Sequence, residues 1–124
     1  MKYLCLAYQD GQRLDALSKE EIEALIEETM AYNEELRRSG HLIAAEALQG
    51  VQSAVILRVR DGRLSVTDGP FVETKEQLGG FFVINARDLN EAIQVASRTV
   101  QARVGCLEVR PIRELAGGDP DEPE

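Results

Sequence analysis

An α+β sandwich is the fold these 124 residues predict, and three observations predict it. Apolar residues recur at helical spacing in two stretches, 18–40 and 88–100. Short runs of strand-forming residues flank each of them. Between the two lies a pair of alternating runs joined by Asp61-Gly62, a hairpin signature. The resulting order is β-α-β, a hairpin, then β-α-β, and two such units with both helices on one face make a ferredoxin-like sandwich. The right-handed crossover rule leaves few other ways to connect it.

Residues 2–8, KYLCLAY, read as the first strand, and Asp10-Gly11 turns the chain. Ser18-Lys19-Glu20-Glu21 has the form of a capping box, with a Ser hydroxyl for a free amide and Glu21 reaching back. Behind it Ile22, Leu25, Ile26, Met30 and Leu36 form an apolar face. Arg37 and Arg38 suit the carboxyl end of the helix, and Gly40 stops it. A second strand covers 41–48. In the third, Val55, Leu57 and Val59 alternate with Ile56, Arg58 and Arg60, and a short fourth covers 64–67. Thr74-Lys75-Glu76-Gln77 repeats the capping-box pattern, which predicts a single helical turn closed by Gly79 or Gly80. The fifth strand is 81–86. Asp88 caps the second helix, whose apolar face is Leu89, Ala92, Ile93, Ala96 and Val100, and Leu107 and Val109 belong to the last strand.

One sheet face is apolar, for the helices. The other is mixed: Phe81 and Val83 beside Asn85, Ile56 beside Arg58, Cys106 beside Glu108. A sheet facing water usually alternates more cleanly. Such a face is expected to be covered by a second copy of itself, in a homodimer.

The net charge is −8, and the last six residues, DPDEPE, hold four acids and no base, so half of that charge lies there. Residues 1–115 are expected to form one domain and 116–124 a disordered acidic tail. No basic stripe is present for phosphate contacts, which excludes nucleic acid as the natural partner. No apolar run approaches the ~20 residues of a membrane span, and nothing reads as a signal peptide, so the expected location is the cytoplasm. Cys5 and Cys106 sit in apolar strand patterns without metal-ligand spacing and read as reduced core residues. No metal site and no cofactor motif is found.

The stretch TDGPFVETKEQLGGFF, 67–82, concentrates charge at a strand end. Asp68, Glu73, Lys75 and Glu76 are close enough for an ammonium to tune a carboxylate. Two readings stand. In one, Gly69 and Pro70 shape a turn and the charges are solvated. In the other, the same turn also lines a site, with Asp68 as the candidate catalytic group. Glu46, in a strand otherwise apolar on both faces, is expected to pair with Arg58 on the neighbouring strand. His41, the only histidine, reads as a junction residue.

The run VRDGRLSVTDGPFVETKEQLGGFFVI strongly resembles the DGPF-type proteins of the YCII-related family, and the likeness extends from residue 2 to about 113, including KYLCLAY and GHLIAAEAL. The resemblance implies a dimeric α/β barrel whose two sheets enclose a cleft. Some relatives carry a His-Asp pair with the His near the start of the first helix. Residues 8–28 contain no histidine here, so that pair is not carried over; Asp68 is the position for its acidic member. The group is also associated with extracytoplasmic-function sigma factors, a link that in this chain would act in trans.

The expected function is therefore a dimeric small-molecule-binding or enzyme-like protein. Its cleft would be lined by Glu46, Arg58, Asp68, Phe71, Glu73, Lys75 and Phe81. The alternative is a non-catalytic regulatory module acting with a sigma factor. The residues specify neither a substrate nor a reaction.

Overall fold

Strand β1 (Lys2–Asp10) runs through the middle of a four-stranded antiparallel sheet in the computed structural model, which describes residues 1–115. The acidic tail expected over 116–124 lies outside the described residues. β5 (Glu76–Asn85) pairs with one side of β1 and β6 (Cys106–Pro111) with the other, while β2 (Leu42–Ala47) pairs outside β5. The order β2-β5-β1-β6 is the ferredoxin-like one. Helix α2 (Lys19–Arg38) makes the crossover from β1 to β2; α3 (Leu89–Ser97) and α4 (Val100–Val104) make that from β5 to β6.

Alternation along β1 divides the sheet into two faces. Tyr3, Cys5 and Ala7 are buried under the helices, whereas Leu4, Leu6 and Tyr8 on the other face are only half-buried. Register carries the division across the sheet, pairing Tyr3 with Ile84 and Cys5 with Phe82 on the helix side, and Leu4 with Val83 and Leu6 with Phe81 on the open side. Leu36 of α2 and Ala92, Val95 and Ala96 of α3 complete the core. The Tyr32 hydroxyl donates to the Val95 carbonyl at 2.8 Å, tying α2 to α3, and Arg103 grips Glu28 through two hydrogen bonds of 2.9 and 2.7 Å, tying α4 to α2.

Helix boundaries follow the caps. The Ser18 hydroxyl accepts from the Glu21 amide and the Glu21 carboxylate accepts from the Ser18 amide, each at 3.1 Å. Gly40, at φ +80°, ends the segment. The Asp88 carboxylate accepts from the Glu91 amide at 2.9 Å. Three helix expectations are corrected. Asp10 caps a short helix α1 (Gly11–Asp15) where a turn was expected. The second helix is interrupted at Arg98, and the Thr99 hydroxyl caps α4 afresh. The apolar faces are also shifted: Leu89 and Ile93 of α3, and Ile22, Ile26 and Met30 of α2, are exposed, while Val95 is buried.

The helical turn expected at Thr74 does not form. The chain is extended there, because the Thr74 hydroxyl donates forward to the Glu76 carbonyl and Gln77 Nε2 donates to the Thr74 carbonyl at 2.6 Å. These bonds launch β5 five residues earlier than expected. The glycine pair is its interior: a Cβ at Gly80 would lie 3.0 Å from the Glu46 carbonyl oxygen of β2.

β3 (Val55–Arg60) and β4 (Arg63–Asp68) form a separate two-stranded ribbon. Asp61 at φ 53° and Gly62 at φ 74° make the tight turn that Asp-Gly favours. Pairing of Leu57 with Val66 and Val59 with Leu64 gathers the aliphatic side chains on one face. Among the described residues, no helix is long and apolar enough to cross a membrane.

Candidate functional site

The base of the ribbon leans over the start of β5 and leaves an apolar cavity of about 650 Å³ between them. Its walls are Leu48 after β2, Val51 in a 3₁₀ turn (Val51–Ser53), Ile56 of β3, Phe71 and Val72 of the DGPF turn, and Leu78 and Tyr8 of the sheet. The volume suits a small organic molecule, and an apolar wall with few polar groups is the usual composition of such sites.

Most polar groups in the wall are already engaged. Ser53 donates to the Gly50 carbonyl at 2.7 Å, Thr74 to the Glu76 carbonyl, and Gln77 to the carbonyls of Val72 and Thr74. Glu76 is different. It is the one carboxylate among the lining residues, and its Oε2 accepts a hydrogen bond of 3.2 Å from the Cys106 thiol. Tyr8, opposite Cys106 in the sheet, points its hydroxyl toward Glu108 at 3.5 Å. Glu76, Tyr8, Cys106 and Glu108 thus form a polar edge where the cavity meets the open sheet face.

The hydrogen bond to the Glu76 carboxylate, helped by burial and by its negative charge, holds the Cys106 thiol above the ordinary cysteine range. Cys106 is exposed, which corrects its expected place in the core; it lies on the open face, while Leu107 and Val109 point to the helices. Cys5 is the core cysteine, its pKa pushed up to about 11 by burial.

The residues expected to line a site are dispersed. Phe71 lines the large cavity, and the Arg58 guanidinium stacks 5.4 Å from its ring centroid. Glu46 and Phe81 line a second cavity of about 300 Å³ between β2, β5 and α2. Asp68, Glu73 and Lys75 line neither cavity. Lys75 is paired with Asp10 at 3.8 Å, and Asp68 ends β4 opposite Val55. The expected Glu46–Arg58 pair does not form, because β2 pairs with β5 and β3 pairs with β4 in another sheet. His41 is a junction residue, held by Ser39 at 2.7 Å and 3.5 Å from Glu91. Among the described residues, no group of three or more His, Cys, Asp or Glu could hold a metal ion.

Glu76, Tyr8 and Cys106 are the residues that sequence reasoning missed as a group. Assigning Glu76 to a helical cap hid it. The signal that finds it is strand parity: Tyr8, Cys106 and Glu76 share one face only once β5 begins at Glu76.

Comparison with known proteins fits this geometry. The YCII-related domain model matches residues 1–116. A protein of Rhizobium meliloti (strain 1021), described as uncharacterized, is 38% identical over 121 residues, covering 96% of this chain and 98% of its own. Among solved structures, 5-chloro-2-hydroxyhydroquinone dehydrochlorinase (TftG) from Burkholderia phenoliruptrix AC1100, in complex with 2,5-dihydroxybenzoquinone, is similar with a TM-score of 0.54. That likeness has 15% identity and covers 91% of this chain and 94% of the other, so it shows the shared fold, one of the dimeric α/β-barrel type.

Proposed function

This chain belongs to the YCII-related family, and we propose that it is a cytoplasmic, enzyme-like homodimer that binds a small, uncharged, hydroxylated aromatic or quinol-type molecule in the cavity under the DGPF turn. The observation that carries this reading is the position of Glu76, a carboxylate held by a thiol donor at the edge of an otherwise apolar cavity. Phe71, Ile56 and Leu78 supply ring contacts, and the Arg58 guanidinium lies over the Phe71 ring. A ligand hydroxyl would replace the Cys106 thiol as donor to Glu76, which is then placed to accept its proton. That TftG holds a hydroxylated quinone in the same fold supports the ligand class. The half-buried apolar strip of Leu4, Leu6, Phe81 and Val83 supports association of two copies through the open sheet face.

Calorimetric titration with hydroquinone as the neutral probe and benzoate as the anionic one tests the site. Saturable binding of hydroquinone, weakened about tenfold or more by Phe71→Ala and by Glu76→Gln, is expected, with benzoate excluded by the carboxylate. Binding indifferent to both substitutions, or no binding of hydroxylated rings, would overturn it.

A second reading has one observation in its favour. The ribbon exposes five aliphatic side chains, which would suit a regulatory module that docks on a protein such as a sigma factor in trans.

A further inference from the structure

The side chains that the sheet sends toward its helices shrink from one end to the other. Tyr3 and Ile84 are fully buried at the first end. Cys5, Phe82 and Ala45 form the next row, and Ala7, Gly80 and Ala47 the row after that. No large side chain fills this last row. The cavity of about 300 Å³ there has an Ala-Gly floor, with Phe82 as its inner wall.

Three carboxamides from three elements border it: Gln9 of β1, Asn33 of α2 and Gln101 of α4. Each residue is half-buried, and none of these side chains makes a hydrogen bond among the described residues. Each carboxamide therefore has both its donor hydrogens and its acceptor lone pairs to offer. Their placement is built in. A bulge between the Ala7–Gly80 and Tyr8–Leu78 pairs makes Gly79 the extra residue of β5. A Cβ at Gly79 would collide with the Gln9 carboxamide, so the glycine is what lets that side chain lie across β5. The Thr99 cap sets where α4 begins, and the Arg103–Glu28 pair clamps α4 to α2, which holds Gln101 and Asn33 at one cavity. The Thr29 hydroxyl, one turn before Asn33, donates to the Leu25 carbonyl at 2.8 Å and keeps its lone pairs for accepting.

No charge faces this floor. Glu46, the one charged residue at the cavity, pairs with Phe81 in the row that points away from the helices. An ion entering here would lose hydration without gaining a counter-charge. A hydrocarbon would desolvate the carboxamides without pairing them. The chemistry that satisfies both limits is a small neutral ring with donors and acceptors side by side, able to lie on the Ala-Gly floor against Phe82.

We propose that this cavity is a second ligand site, for a neutral ring of the lactam or imide type, read by Gln9, Asn33 and Gln101. It shares only Leu48 with the cavity under the DGPF turn. The glycine pair after that turn gains a purpose beyond strand geometry: Gly79 places Gln9 and Gly80 opens the floor.

Calorimetric titration of the full chain with uracil, a neutral imide, tests the site, with orotate, its carboxylate derivative, as the charged probe. The parent should bind uracil saturably, and orotate more weakly by about tenfold or more. Asn33→Leu and Gln101→Leu, which keep similar size and suit a helix, should each weaken uracil binding about tenfold. Gly79→Ala should also weaken it, by displacing the Gln9 carboxamide; it touches neither helix, so it decides the matter if a leucine variant fails to fold. Saturating hydroquinone, and Phe71→Ala, should leave the uracil isotherm unchanged, because both act at the other cavity. The second site is overturned if uracil does not bind, if orotate binds as tightly, if all three substitutions are silent, or if Phe71→Ala abolishes uracil binding. Failure of hydroquinone to bind while uracil binding stands would remove the reading of the first cavity and leave this one intact.

Discussion

β1 and the ribbon are written in the same alternating code and end in opposite physical situations. β1 has hydrogen-bonded neighbours on both sides and helices on one face, so Tyr3, Cys5 and Ala7 are lost to water. In β3, Val55, Leu57 and Val59 alternate just as regularly, yet each is more than half exposed because the strand has one neighbour and no covering layer. Alternation specifies a strand and its two faces; burial depends on what the topology lays against them. The body of the molecule buries one apolar sheet face within the chain, and the ribbon leaves its aliphatic face exposed.

The sharpest way to test this contrast is to truncate one aliphatic side chain in each region. Ile84 is fully buried between β1, β2 and the helices. Ile84→Ala should cost about 2–5 kcal/mol in equilibrium urea unfolding, as lost transfer energy plus a cavity. Leu57→Ala, measured in a chain kept monomeric, should cost about 0.5 kcal/mol or less, since there is no packed shell to lose. Equal costs would mean that the ribbon is packed in the free chain and the contrast is false.

Glycines sharpen the comparison at the next level. Gly105, between α4 and β6, has φ −152° and ψ −131°, and a Cβ there would collide with the Tyr8 carbonyl oxygen, so Gly105→Ala must displace the β1 backbone. A loss of about 1–3 kcal/mol is expected. Gly69 has open space around it and φ +102°, so Gly69→Ala meets only backbone strain, about 1–2 kcal/mol. Calorimetric melting of both variants separates them further: the Gly105 change should also disturb Tyr8 and the cavity edge, and hydroquinone binding with it, while the Gly69 change should leave the sheet intact.

The same contrast explains how much was legible in the residues. The capping box at Ser18, the Asp88 N-cap and the Asp61-Gly62 turn are local chemistry, complete within four residues, and they are where expected. Thr74 misled because its side chain had an alternative acceptor in the Glu76 carbonyl, and extended structure used it. Glu46 misled because strand adjacency in sequence is not adjacency in the sheet: β5 intervenes where β3 was expected. The cavity was half legible. Phe71 was identifiable as an apolar wall, but Glu76 and Cys106 meet only through the register of β1 with both of its neighbours.

The finest test sets one cysteine against the other, with little effect on stability expected. Both thiols are raised above the ordinary value, for different reasons: Cys5 by burial, to about 11, and Cys106 chiefly by donating its proton to the Glu76 carboxylate. Only the thiolate is alkylated. In the folded protein at pH 8, iodoacetamide should therefore modify Cys106 slowly for an exposed thiol, and Cys5 only on unfolding. Glu76→Gln removes the negative charge that disfavours the thiolate, so the pH midpoint of Cys106 alkylation should fall and its rate at pH 8 should rise severalfold. The Cys5 rate should not move, because the core is untouched. A neutral hydroxylated ligand that takes over the Glu76 carboxylate should release the thiol in the same direction as the substitution does. Mass spectrometry of the quenched protein reads both sites at once. If Cys106 reacts with an ordinary cysteine's pH profile in the parent chain, the Glu76–Cys106 bond is absent in solution, and the polar edge of the cavity is not built as described.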